Sequence, residues 1–399
     1  MSLPSYDDAL SQALSIVNVI NVHETGSLAA SVGRVLAKDI ISDRNLPPYD
    51  RSQMDGYAVV ASEVKEGVSM EVTARISAGS NVTVDRTPNT CVAIATGAPV
   101  PKQFDAVVQH ELTDRGNLLG GKVTFHVDNV KQGKAIHACG ADASSGMVVL
   151  HAGTQLDSHH IGIAATVGNT TPCLVCKPKV IVVTSGDEVV SPTELPEKHQ
   201  IRNGNGPMLV SLFESFGCDV LHHQHVIDDA SSTTSAVSEA LQLCDLLVTV
   251  GGISAGERDF FPQAFENAEV EILVNGSAIQ PGKPVMIGKK DGKMVLGLPG
   301  NPVSALACAH LFGHPIVRAM LGIQEPLLWL EIPLAHAVIP NKHRTVFRPC
   351  NIVDGKIEIP TWQGSGDLSH TSQTIGVAQL PMIEDEIPSG TLVLFLRFA

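Results

Sequence analysis

The second half of the chain carries three unbroken aliphatic runs, each ending in a glycine-rich turn. They are Val180–Glu188 (Val-Ile-Val-Val-Thr-Ser-Gly-Asp-Glu), Leu246–Asp259 (Leu-Leu-Val-Thr-Val-Gly-Gly-Ile-Ser-Ala-Gly-Glu-Arg-Asp) and Val295–Pro302 (Val-Leu-Gly-Leu-Pro-Gly-Asn-Pro). An aliphatic run without polar alternation predicts a strand buried on both faces, as in a parallel sheet covered by helices. A turn with few side chains at the strand's carboxyl end leaves main-chain N–H groups free to hold an anion. Turns of this kind on one sheet predict a single crevice at one edge. Thr184, Ser185, Gly186, Asp187, Gly251, Gly252, Ser254, Gly256, Pro299, Gly300, Asn301 and Pro302 are its candidate lining.

The rest of the chain organises around that expectation. With 399 residues, the chain is too long for one ordinary core. An opening helix is predicted from Ser5 and Asp8 as a capping pair, with Leu10, Ala13, Leu14, Val17 and Ile20 on one face. Residues 46–142 read as a β-rich inserted module. Residues 143–176 return to residues 1–45, so the first domain is discontinuous. Strand–helix alternation over 177–325 predicts a three-layer α/β/α domain, whose last helix runs from Pro302, with Asn301 as N-cap, to about Leu321. Alternating strands over 326–399 predict a small β-barrel or sandwich.

Charge and cysteine usage narrow the function. A formal charge of -14 argues against general nucleic-acid binding. No run approaches a membrane span and no signal segment is seen at the start, so the expected location is cytoplasmic. Cys173 and Cys176 form a CxxC without a second pair at zinc-finger spacing, and read as ordinary thiols. His222, His223 and His225 fall on an alternating strand and read as a solvated strand end.

Asp187, Glu188, Asp228, Asp229 and Asp259 all follow predicted strands of the α/β domain. Acids gathered near an anion repel one another and the ligand unless a cation joins them. Mg²⁺ held by one or two carboxylates and substrate oxygens resolves the conflict; Asp229 reads equally as a helix cap. Lys283, fixed between Pro281-Gly282 and Pro284, is a candidate anion contact. There is no Walker A and no dinucleotide fingerprint. The residues alone describe a phosphate-binding α/β enzyme that uses Mg²⁺.

Six motifs in order carry a further resemblance. They are Leu46–Val59 (Leu-Pro-Pro-Tyr-Asp-Arg-Ser-Gln-Met-Asp-Gly-Tyr-Ala-Val), Ala95–Pro101, Thr184–Glu188, Gly251–Asp259, Gln280–Pro284 and Gly297–Ser304. Together they resemble the MoeA family, the molybdopterin molybdenumtransferases, related to the E domains of gephyrin and its plant counterpart. The resemblance implies an elongated homodimer with four domains per subunit. It implies a Mg²⁺-dependent reaction of adenylylated molybdopterin with molybdate to give molybdenum cofactor and AMP, with transient contacts to the adenylyltransferase and to cofactor acceptors. It places Glu188, Asp228 and Asp259 at the metal and pterin–phosphate region. Asp55, Thr96 and Asp142 face the cleft across the dimer, and Lys283, Pro284, Arg344 and Ser365 lie around molybdate. The sequence departs from the family pattern at Gln280, where a lysine is expected. It departs again at His137–Asp142, which lacks arginine, and at Asn203, where an acid is expected. These departures raise the alternative of a divergent paralogue that binds or delivers the cofactor without efficient metal insertion.

Overall fold

In the computed structural model, which describes residues 3–81, 83–115, 119–253, 259–361, 364 and 366–398, the three aliphatic runs become adjacent strands. The central sheet contains β1 Lys179–Ser185, β2 Asp219–Val226, β3 Leu246–Val250, β4 Glu271–Asn275, β5 Met286–Lys290 and β6 Lys293–Leu298, in the order β2-β1-β3-β6-β5-β4. β2, β1, β3 and β6 run parallel, whereas β5 and β4 continue the sheet antiparallel.

Alternate side chains of these strands enter different cores, because successive residues of a strand point to opposite faces. Val180, Val182, Val248 and Leu296 belong to one core, and Ile181, Val183, Leu247 and Val295 to the other. The helices are α1 Tyr6–Ser15, α2 Ser158–Thr166, α3 Asn205–Ser215, α4 Ala230–Leu243, α5 Phe261–Asn267, α6 Pro302–Cys308 and α7 His314–Met320. The first core receives Leu209 and Phe213 of α3 and Ala305 of α6; the second receives Val237 and Ala240 of α4 and Phe261 and Phe265 of α5. Burial on both faces is why the strands read as continuous apolar runs.

Two expectations need correction. Helix α1 was assigned with the discontinuous first domain, yet its buried Tyr6, Ala9 and Ala13 join the core of the central sheet. The Tyr6 hydroxyl donates to the Leu311 carbonyl at 3.1 Å, and its ring meets Phe312 and Phe347 edge-on. An amphipathic helix declares which face it buries but not against what. The last helix of the α/β region is also not uniform: α6 passes through a π-helical turn, Ala309–Gly313, into α7. All five residues of that turn are buried, so no polar face marks the change of period.

The remaining strands form further sheets. A five-stranded sheet takes strands 106–109, 56–59, 90–94, 69–76 and 122–124 in that order. Residues 23–25 pair with 173–175, and 40–41 with 148–150, joining the chain before and after this module. Toward the C-terminus, strands 279–280, 345–353, 376–380, 392–397 and 329–333 follow one another in a sheet. Its first member comes from the loop between β4 and β5, a crossover the sequence reading did not anticipate. Among the described residues, no helix is long and apolar enough to cross a membrane.

Candidate functional site

The carboxyl ends of β1, β3 and β6 open on one cleft of about 740 Å³. Its wall includes Thr184, Ser185, Gly186 and Glu188 after β1, Gly251 and Gly252 after β3, and Pro299, Gly300, Asn301 and Pro302 after β6. These turns lie directly against one another. A Cβ on Gly251 would stand 3.2 Å from the Ser185 carbonyl oxygen, and one on Gly300 would stand 3.4 Å from the Gly251 Cα. Gly251 also has φ +86°, a left-handed conformation that costs other residues about 1–2 kcal/mol. Glycine is therefore required at this turn both by conformation and by space. Pro302 begins α6 and Asn301 holds its N-cap position, both as expected, although the Asn301 side chain makes no capping bond to the helix.

The acids divide among several tasks. Glu188, Asp228 and Asp259 line the cleft with Arg202, so its described wall is net acidic. Asp187 does not line it. The Asp228 N–H donates to the Asp187 carboxylate at 3.0 Å and the Asp187 N–H to the Asp228 carboxylate at 3.4 Å, which ties the turn after β1 to the turn after β2. Asp229 caps α4, accepting the Ser232 N–H at 2.8 Å, and that hydrogen bond holds its carboxyl below the ordinary carboxylate range. Among the described residues, no group of three His, Cys, Asp or Glu side chains is gathered closely enough to cage a metal ion. Glu188, Asp228 and Asp259 share the cleft without closing into a cage, an arrangement compatible with the expected ion held by one or two carboxylates and substrate oxygens. Bare carboxylates repel, and Asp228 is already engaged with the neighbouring turn.

The predicted molybdate group is only partly assembled at the cleft. Pro284 lines it, whereas Lys283 is exposed beside it and half-buried Arg344 is not part of the wall. Gly366 and Leu368 bring the C-terminal region to the rim. Ser254, Gly256 and Ser365 lie outside the described residues. Gln280, which stands where a lysine was expected, is an anchor: its side-chain oxygen accepts from Asn341 at 2.7 Å, and residues 279–280 pair with 345–346.

Asp55, Thr96 and Asp142 do not line this cleft. Asp55 accepts the Thr96 N–H at 2.7 Å and the Thr96 hydroxyl at 3.0 Å, and these bonds, the N–H first, hold its carboxyl below the usual range. Asp142 contacts His137 at 2.9 Å, and Arg51 reaches the other His137 nitrogen at 3.1 Å. The segment lacking arginine thus recovers a guanidinium from a strand that the sequence order separates from it.

Several residues were missed. Arg202 and Asn205 line the cleft; Asn205 donates to the Gly300 carbonyl at 2.7 Å, while its buried Oδ1 has no hydrogen-bond partner among the described residues. His223 and His225 both contact the Thr184 hydroxyl, so they are not simply a solvated strand end. The usable signal was their i, i+2 spacing, which puts both rings on one face of the strand.

A mixed α/β protein with several sheets and a cleft beyond parallel strand ends is the class these features define. A family model described as the MoeA N-terminal region (domain I and II) matches residues 4–168, and one described as a probable molybdopterin binding domain matches residues 181–319. The chain is 33% identical over 305 residues to a molybdopterin molybdenumtransferase of Staphylococcus epidermidis, covering 74% of this chain and 71% of that one. It is 32% identical over 305 residues to the Bacillus subtilis protein of the same name, covering 75% and 71%. A crystal structure of a molybdopterin biosynthesis moeA protein from Pyrococcus horikoshii OT3 superposes over 100% of both chains with TM-score 0.86 and 25% identity. The chain belongs to the MoeA family of molybdopterin molybdenumtransferases.

Proposed function

We propose that the chain is a molybdopterin molybdenumtransferase that takes adenylylated molybdopterin and molybdate in this cleft and releases molybdenum cofactor and AMP. The supporting observation is the mutual contact of the Ser185, Gly251 and Gly300 turns at one sheet edge. The Gly251 N–H is taken by the Leu298 carbonyl at 3.1 Å, so the main-chain N–H groups of Gly252 and Gly300 hold the phosphate portion, and Asn205 Oδ1, which has no partner among the described residues, accepts a pterin N–H. Molybdate binds toward Lys283, Pro284, Arg344 and Ser365, under the C-terminal rim. Catalysis consists mainly of setting two anions against each other in fixed orientation and offsetting their charge.

The three acids of the wall suit Mg²⁺, which binds through one or two carboxylates together with phosphate oxygens and retains water. Glu188, Asp228 and Asp259 would hold it, and its chemistry there is charge neutralisation. In a cytoplasmic homodimer with four domains per subunit, Asp55, Thr96 and Asp142 would face the second subunit's cleft. Brief docking with the adenylyltransferase and with cofactor acceptors follows from the same reading. Mixing the protein with adenylylated molybdopterin, Mg²⁺ and molybdate tests the proposal. Cofactor and AMP are expected in equal amounts; binding without AMP release would replace the enzyme reading with a carrier.

A further inference from the structure

Thr184 is 2% exposed, and three side chains converge on its hydroxyl among the described residues. They are Asn203 through Nδ2 at 2.9 Å, His223 through Nε2 at 2.9 Å and His225 through Nδ1 at 3.0 Å. The parallel register sets His225 opposite Thr184 and His223 opposite Val182, so both rings rise on the face that carries α3, His223 half-buried against it and His225 exposed. His225 Nε2 lies 3.1 Å from the carbonyl oxygen of Gly186, in the turn that forms one arm of the cleft. Gly206, in the first turn of α3, closes the arrangement: a Cβ there would lie 2.4 Å from a carbon of the His223 ring.

Counting protons assigns every member. A carbonyl oxygen only accepts, so His225 Nε2 carries a hydrogen. In the neutral ring Nδ1 is then bare and takes the Thr184 O–H. The Asn203 amide donates to one Thr184 lone pair, and the other accepts His223 Nε2–H. A doubly protonated His225 would aim a third donor at an oxygen with two lone pairs. Burial, followed by His225 and His222, pushes the His223 pKa below its ordinary value, which accords with a neutral ring.

We propose that His225, backed by His223, is a positioning residue that fixes the Thr184–Gly186 arm of the cleft, and that Asn203 supplies the amide this arrangement requires. The departure at position 203 thereby acquires a reason. With aspartate there, the Thr184 O–H would turn to the carboxylate, both Thr184 lone pairs would accept from the two rings, and His225 would become an imidazolium to keep its bond to Gly186. The kinetic arm of the test rests on the transferase reading above; the spectroscopic arm does not.

Long-range ¹H–¹⁵N spectra of the imidazoles in the full chain should show His223 and His225 both neutral and protonated on Nε2 at neutral pH. Asn203→Asp should convert His225 to the imidazolium under the same conditions. A wild-type His225 protonated on Nδ1, or an Asn203→Asp spectrum identical to wild type, would overturn the proposal even if no turnover were detected. In the assay, His225→Ala should lower kcat/KM for adenylylated molybdopterin about 10- to 100-fold with the KM for molybdate unchanged. His225→Asn, which keeps an oxygen where Nδ1 stood, should recover about fivefold or more of that loss. Wild-type kinetics in His225→Ala, or no recovery in His225→Asn, would count against the positioning role.

Discussion

The two halves of the central sheet reach the same edge by different routes. In the parallel half, β1, β3 and β6 all end there, and each ends in a turn of small or glycine residues. In the antiparallel half, β4 ends and β5 begins at that edge, because Asn275 pairs with Met286 and Met286 with Gly297. The loop between them must therefore run along the cleft rim. It carries Lys283 and Pro284 and lends residues 279–280 to the C-terminal sheet. The parallel half thus offers closely packed glycine turns, and the antiparallel half offers a charged side chain on a tethered loop. On the proposed function, strand direction sorts the site into a part that takes the phosphate and pterin and a part that takes the smaller oxyanion.

The largest effect should come from breaking the parallel half. Gly251→Val places a branched side chain at φ +86° with its Cβ 3.2 Å from the Ser185 carbonyl oxygen, forcing two turns apart. Turnover of adenylylated molybdopterin should fall about 100-fold or more, a misplacement effect. Asp259→Asn should follow with about a 10- to 100-fold fall in AMP release and a higher Mg²⁺ requirement, a charge-neutralisation effect. An unchanged rate across a Mg²⁺ titration would remove Asp259 from that role.

Changes in the antiparallel half should leave pterin binding intact. Lys283→Ala should raise the KM for molybdate about tenfold, as loss of one charge-assisted contact. Equal weakening of molybdate and pterin binding would show that the two halves are not separate. Asn341→Ala, which frees Gln280 from its anchor, should raise the same KM only about two- to threefold.

The smallest effect on turnover is expected at Asp229, which caps α4 outside the cleft wall. Its carboxyl titrates below the ordinary 3.8 because the Ser232 N–H donates to it. The cap is thus fully present above that ordinary value and is lost as pH falls through the lower folded one. Asp229→Ala should reduce Tm by about 2 °C at neutral pH, with the difference from wild type vanishing in strong acid. A persistent difference there would assign the loss to something other than the cap.

Legibility in the sequence followed the range of the interaction. The aliphatic runs and their turns were readable because burial on both faces and left-handed turns leave local marks. Asp229 was readable as a cap for the same reason. The tie between Asp187 and Asp228 depends on β2 lying beside β1, which no local pattern states. The His223 and His225 rings were visible as an alternating pair, but their shared partner Thr184 depends on the parallel register. Helix α1 showed its apolar face and not its destination, and Gln280 gave no sign that Asn341 would hold it.

The central claim is that the turns after β1, β3 and β6 jointly hold the substrate's phosphate and pterin. A crystal structure with adenylylated molybdopterin bound tests it most directly. Density should lie against Ser185, Gly251 and Gly300, with its phosphate facing main-chain N–H groups. Density confined to the surface around Asp55 and Thr96, with the cleft filled by solvent, would contradict the account.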